Sequence, residues 1–245
     1  GSTVKGIHLV NKDTLTVCTH LPYKPFQYTN KDGKVVGFDV DLTGLLAKRL
    51  GVKQKIVDVD WNQVTSGAAF KAGKCDVGEG GMTITPERQK SILISEPYFN
   101  ATQALLTKTD SGVNSIADLK GKKVGVQTDT TGEIYGNKMA KKYGYTTVTF
   151  DDYALEVNAV KAGTVDAAIN DNGVLNDFVK SNPDTKVAQE FNTGEKYGFA
   201  AEKNDPNATK LMSMFNDVLD KAKSDGTMDR IYKKWFGTVP GNVNQ

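Results

Sequence analysis

Residues 70–77 read FKAGKCDV, and residues 160–167 read VKAGTVDA. Each places Lys-Ala-Gly and, after two intervening residues, an Asp at a joint between an apolar-periodic segment and a short apolar run. That is the pattern of a helix stopping at glycine and a strand starting beyond it. The flanking order also repeats. Leu15–Thr19 reads as a buried strand, Leu42, Leu45, Leu46 and Leu50 share a helical face closed by Gly51, and Lys55–Val59 and Asp76–Gly81 read as further strands. After Tyr98-Phe99 the rhythm restarts. Lys123–Gln127 is a strand, Gly132–Tyr143 a helix capped by Thr130 or Thr131 and stopped by Gly144, and Thr146–Phe150 a strand. Then come a helix over Ala154–Ala162, a strand over Val165–Asn170, a helix over Gly173–Lys180, and two terminal helices over Pro206–Ser224 and Met228–Trp235. Strand–helix alternation in two echoing halves predicts two α/β lobes whose sheets are largely parallel and helix-covered. The alternative is two copies of a common turn.

Composition fits and excludes. The chain has 245 residues, 38% apolar and 24% charged, enough for a core in one large or two smaller domains. Thirty-one basic residues against 29 acidic ones give no concentrated charge for nucleic acid. No window approaches the 18 or so apolar residues of a membrane span. Gly1-Ser2 reads as a cloning remnant ahead of a mature segment. Cys18 and Cys75, the only cysteines, lie 57 positions apart with no histidine cluster nearby and supply too few ligands for zinc, and no metal or other cofactor is expected.

In open α/β sheets ligands sit beyond the carboxyl ends of strands, which here are residues 19–26, 80–88, 128–133 and 171–173. In GGMTITPER, residues 80–88, two glycines expose backbone, Thr85 caps a turn that opens on Pro86, and Arg88 points a two-pronged donor back toward the strand end. That suits a carboxylate, although a capped turn with a surface Arg reads the same way. Thr128-Asp129-Thr130-Thr131-Gly132 is a second anion-friendly helix start, or ordinary capping. Asp171, at the end of an apolar strand, is either an ammonium acceptor or the N-cap of the next helix. Tyr23, Phe26 and Trp61 are flat surfaces for a ligand or for the core. His20 has no nucleophile at motif spacing, and no phosphate loop or dinucleotide fingerprint is present. The residues read as a site that holds a molecule without transforming it.

Three stretches, YKPFQYTNKDGKVVGFDVDL (23–42), GKCDVGEGGMTITPERQKSILISEPYF (73–99) and VGVQTDTTGE (124–133), closely resemble the extracellular solute-binding proteins that deliver polar amino acids to ABC importers. VDAAINDN and MDRIYKKWFG support the likeness, which covers residues 13–237. It implies a two-lobed fold of the periplasmic-binding type, two open mixed or parallel sheets flanked by helices and joined by two crossing strands. The crossings fall near 100–103 and 196–200, giving residues 1–100 plus 199–245 as one lobe and 101–198 as the other.

The resemblance further implies a trap that closes on a polar L-amino acid. Arg88 would clamp the α-carboxylate with Thr83 and the amide or hydroxyl of Thr131, and the Gly81 carbonyl and Asp171 would take the α-ammonium. Tyr23 and Trp61 would sandwich the ligand, with Met82 beside them and Gln127 reading its side chain. Two departures stand out. His20 occupies a position where many relatives carry an ammonium-binding Asp, and Glu79 stands where they have a small or apolar residue. Glu79 either restores that charge, reaches a basic ligand side chain, or turns outward to a surface partner. The implied setting is extracytoplasmic, with a lipid anchor, a monomer and an importer's membrane subunits as partners. Alternatives are a cyclohexadienyl-dehydratase-like enzyme on the same fold and a sensor domain. Secretion favours a Cys18–Cys75 disulfide. Strand register opposes it: with the ends of the strands Leu15–Thr19 and Asp76–Gly81 level, the offset between the cysteines, at about 3.3 Å per residue, approaches or exceeds the ~7 Å limit between Cα atoms.

Overall fold

The computed structural model describes residues 1–238. In chain order the first elements are strands β1 (Ser2–Val4), β2 (Ile7–Leu9), β3 (Thr14–Thr19), β4 (Tyr28–Thr29) and β5 (Val35–Val36), then helix α1 (Phe38–Leu50) and strand β6 (Lys53–Asp58). Helices α2 (Trp61–Thr65) and α3 (Ala68–Lys71), strand β7 (Val77–Gly78), the short helix α4 (Pro86–Gln89) and strands β8 (Ile92–Ile94) and β9 (Phe99–Lys108) follow. Next are β10 (Lys123–Gln127), α5 (Thr131–Tyr143), β11 (Thr146–Phe150), α6 (Tyr153–Ala162), β12 (Ala167–Asp171) and α7 (Asn172–Ser181). The chain finishes with β13 (Thr185–Tyr197), β14 (Ala200–Glu202), α8 (Pro206–Ser224) and α9 (Thr227–Phe236).

Two compact units result, Gly1–Asn100 with the segment from Lys196 onward, and Ala101–Glu195. The chain passes from one to the other within β9 and within β13. The first unit holds a five-stranded sheet ordered β6-β3-β7-β14-β8, and the second one ordered β11-β10-β12-β9-β13. Both are mixed. In the first, β3 runs parallel to β6 and β7 while β14 opposes β7 and β8. In the second, β10 runs parallel to β11 and β12 while β9 opposes β12. Each antiparallel member is a strand at or beside a passage between units, so the alternation of strand and helix predicts the parallel core and misses these additions.

Local chemistry ends the elements where the sequence does. Gly51, Gly144 and Gly163 close α1, α5 and α6 in the left-handed conformation, and the side chains of Thr130, Asp152 and Asp205 cap α5, α6 and α8. Among the described residues no helix is long and apolar enough to cross a membrane, and no cluster of metal-ligating side chains occurs.

The two cysteines correct the argument from register. Cys18 and Cys75 are bonded, with Cα atoms 5.8 Å apart. The predicted strand from Asp76 shrinks to Val77–Gly78. Cys75 therefore lies before the strand, in chain that leaves the ladder direction, and the rise per residue does not apply to it.

Candidate functional site

In the first unit the ends of β3 and β7 carry the glycine loop. Gly81 has φ +58°, and a Cβ there would sit 3.0 Å from the Tyr23 ring and 3.2 Å from that of Tyr197. A Cβ on Gly80 would lie 2.2 Å from the Trp61 ring. Tyr23 and Trp61, both mostly buried, thus lie against the two glycines. Thr85 caps the turn by accepting from the Arg88 backbone N–H at 3.1 Å, with Pro86 at its first position. The Arg88 guanidinium turns back as its sequence predicts. Its Nη1 donates to the Thr83 carbonyl at 2.9 Å, and its centre lies 5.8 Å from the Trp61 ring. Arg88 is half-buried, and its position is set by a carbonyl on one side and an indole on the other.

Beneath this loop lies a residue that sequence reasoning passed over. Asp39, fully buried in the first turn of α1, accepts from the Gly81 N–H at 2.8 Å, the Gly80 N–H at 3.3 Å and the Tyr98 hydroxyl at 2.7 Å. Burial, only partly offset by these donors, pushes its carboxyl group up to about 7. The signal was in GFDVDL: one acid of that pair faces inward, while Asp41 faces Lys234 and Trp235 at 3.1 and 2.7 Å.

Three further candidate residues of this unit are placed as follows. Glu79 does not turn outward. It is fully buried and accepts from the Thr43 hydroxyl at 2.8 Å, and burial followed by the nearby Asp39 charge holds its carboxyl well above the usual range. Met82 is 1% exposed and packs in a cluster with Cys18, Trp61 and Cys75. It is a core residue. His20 has Nδ1 2.8 Å from the Val59 carbonyl, which can only accept, so in the neutral ring Nδ1 is the donor and Nε2 the acceptor.

In the second unit the ends of β10 and β12 and the start of α5 meet. Asp171 stands at the N-cap of α7 but makes no side-chain cap bond. Its carboxylate instead accepts from Gln103 Nε2 at 2.6 Å. The same nitrogen reaches the Glu195 carboxylate at 3.0 and 3.2 Å and the Thr131 hydroxyl at 3.2 Å. Thr131 and Thr193 donate their hydroxyls to Glu195. One amide with two N–H bonds therefore sits between two carboxylates. The Thr131 hydroxyl proton is committed to Glu195, so toward an anion Thr131 has its backbone N–H alone. Gln103 and Glu195 were not anticipated. For Gln103 the signal is a polar side chain directly before the apolar run Ala104–Leu106, while Glu195 lies in the mostly polar β13 and has no such signal.

Gln127, almost fully buried, belongs to a second chain of contacts. Asn170 Nδ2 donates to Gln127 Oε1 at 3.1 Å and to Glu156 Oε1 at 2.7 Å, and Asn170 Oδ1 accepts from the Asp171 N–H at 2.7 Å. Glu156 is fully buried on α6 above Gly125, where a Cβ would come within 3.5 Å of it, and burial holds its carboxyl well above the ordinary range.

Comparison with known proteins agrees with the fold. A model of the bacterial extracellular solute-binding proteins, family 3, matches residues 15–238. The arginine-binding extracellular protein ArtP of Bacillus subtilis (strain 168) is 35% identical over 227 residues, 92% of this chain and 87% of that protein. An ancestral arginine-binding protein, solved with arginine, is 42% identical with a TM-score of 0.83 over 92% of this chain and 99% of its own. The ancestral amino acid-binding protein AncCDT-1, a precursor of cyclohexadienyl dehydratase, is 38% identical with a TM-score of 0.83 over 92% and 96%. The chain belongs to the bacterial extracellular solute-binding proteins, family 3.

Proposed function

We propose that this protein binds a polar L-amino acid outside the cytoplasm and delivers it to an ABC importer. The observation that carries the reading is the chemical complementarity of the two strand-end clusters. The first unit offers a positioned guanidinium, Arg88, bonded to the Thr83 carbonyl beside the Gly80–Gly81 loop. The second offers two carboxylates, Asp171 and Glu195, ordered around Gln103. A zwitterion needs one of each: a guanidinium for its carboxylate, and carboxylate oxygens with acceptor capacity beyond a single amide for its ammonium.

In this reading Arg88, helped by Thr83 and the Thr131 N–H, holds the α-carboxylate, and Asp171 with the Gly81 carbonyl holds the α-ammonium. Tyr23 and Trp61 flank the ligand. His20 contributes an acceptor nitrogen where many relatives have Asp. Binding by closure, a monomeric state, a lipid anchor and recognition by the importer's membrane subunits complete the reading, and no cofactor enters it.

Calorimetry against the twenty amino acids tests it directly. At least one should bind more tightly than ~100 μM, about −5.5 kcal/mol, and Arg88→Ala should weaken that ligand by 100-fold or more, since an unpaired buried carboxylate costs about 2–5 kcal/mol. Retained affinity in Arg88→Ala places the ligand elsewhere.

A dehydratase reading draws on the likeness to AncCDT-1. Against prephenate as the substrate, Asp171 and Glu195 would face a molecule without an ammonium group, an objection that does not touch arogenate, which carries one. Turnover of prephenate or arogenate, followed by absorbance, decides between the two.

A further inference from the structure

We infer that Asn170 and Glu156 fix the polarity of the Gln127 carboxamide, so that the site selects a ligand side chain carrying an oxygen acceptor and disfavours a cationic one. This rests on the amino-acid-binding reading above, and it names the side-chain class that the reading leaves open.

The orientation can be followed atom by atom from the backbone outward. The Asp171 N–H can only donate, so the Asn170 atom 2.7 Å from it is the carbonyl oxygen Oδ1. Asn170 is therefore not free to flip, and its other end is Nδ2 with two N–H bonds. Glu156 takes one at 2.7 Å. Gln127 takes the other at 3.1 Å, and only its Oε1 can accept. The end of Gln127 that remains is Nε2, which carries two donors and makes no hydrogen bond to the described residues. Asn170 and Glu156 are 1% and 0% exposed, so water does not compete for their bonds, and Gln127 is 4% exposed.

Position makes this polarity matter to a ligand. β10 pairs in parallel with β12 through Val124↔Ala167 and Gly125↔Ala168, and two more residues bring Gln127 opposite Asn170, the neighbour of Asp171. Adjacent strands lie about 4.8 Å apart. An amino acid held by its ammonium at Asp171 thus has Gln127 within reach of its side chain. The carboxamide of glutamine or the carboxylate of glutamate would accept from Nε2. A guanidinium or ammonium would meet N–H against N–H and leave buried donors unpaired.

The test measures affinities for the twenty amino acids on the intact protein and on three variants, each checked for folding by its melting transition. In the wild type the tightest ligand should carry a side-chain oxygen acceptor, with L-glutamine binding at least ~10-fold more tightly than L-arginine. Asn170→Asp puts an acceptor where Nδ2 was and turns Gln127 around, so the glutamine-to-arginine ratio should fall by ~10–100-fold. Glu156→Leu should lower the ratio several-fold, and Glu156→Gln, whose Oε1 still accepts, should preserve it. A wild type that prefers arginine or lysine overturns the inference, as does an unmoved ratio in folded Asn170→Asp. If that variant does not fold, equal ratios in Glu156→Leu and Glu156→Gln overturn it. Binding of none of the twenty would instead remove the amino-acid-binding reading itself, and this inference with it.

Discussion

Stability of the first unit should fall as pH rises from 5 to 8, and Asp39 should be a principal cause. Its carboxyl group is fully buried beneath the Gly80–Gly81 loop and is pushed from its ordinary 3.8 up to about 7. Raised affinity for a proton in the native state means that, between those values, the folded chain binds more protons than the unfolded one. Stability therefore declines with increasing pH across that window, the reverse of an ion-paired carboxylate. From 3.8 to about 7 is roughly three decades of proton affinity, or about 4 kcal/mol at 1.4 kcal/mol per decade, complete below the lower value and lost above the upper. About two of those decades lie between pH 5 and 7, worth about 3 kcal/mol, or roughly 6–12 °C in melting temperature for a unit of this size. Glu79, also raised, acts with the same sign, and its neighbours Asp39 and Asp41 are both acidic. Thermal melts followed by circular dichroism at half-unit steps would compare the wild type with Asp39→Asn. The amide keeps an oxygen for the Gly81 N–H and cannot titrate, so the variant's melting temperature should vary distinctly less with pH. Parallel curves for the two proteins, or a wild type that gains stability toward pH 8, would refute the reasoning.

Reducing the Cys18–Cys75 bond, or replacing both cysteines by serine, should cost about 4 kcal/mol by the chain-entropy relation for a 57-residue separation, read as a lower melting temperature under reductant. Gly80→Ala should displace the Trp61 ring from its 2.2 Å encounter with the new methyl. Because Arg88 stacks on that ring, the variant should lose at least ~10-fold in ligand affinity on top of an overpacking cost of about 1–3 kcal/mol. An unchanged dissociation constant would show that Trp61 does not set the position of Arg88.

Much was legible in the chain because it depends on neighbours in sequence. Glycine stops, the Thr85-Pro86 start and the Thr130 cap are local, and so is the return of Arg88 toward its strand end. The buried acids were not legible. Asp39 and Asp41 are two residues apart on one helix turn, and only the packing of α1 against the sheet decides which one meets the amides of residues 80 and 81. For Glu79 the sequence leaves a ligand contact and an outward turn both open, and the fold buries it against the Thr43 hydroxyl.

The sequence by itself determined the two α/β halves, the glycine loop and the identity of the chemical groups at the strand ends, since alternation, caps and turns follow from backbone and side-chain preferences over a few residues. Only the tertiary structure decided how those groups are used. A disulfide joins Cys18 to chain outside the ladder, an amide from β9 stands between carboxylates from β12 and β13, and one backbone N–H sets the direction of two side chains, Asn170 and then Gln127. The physical reason is that hydrogen-bond polarity and burial are properties of contacts between distant segments, and no local pattern encodes them.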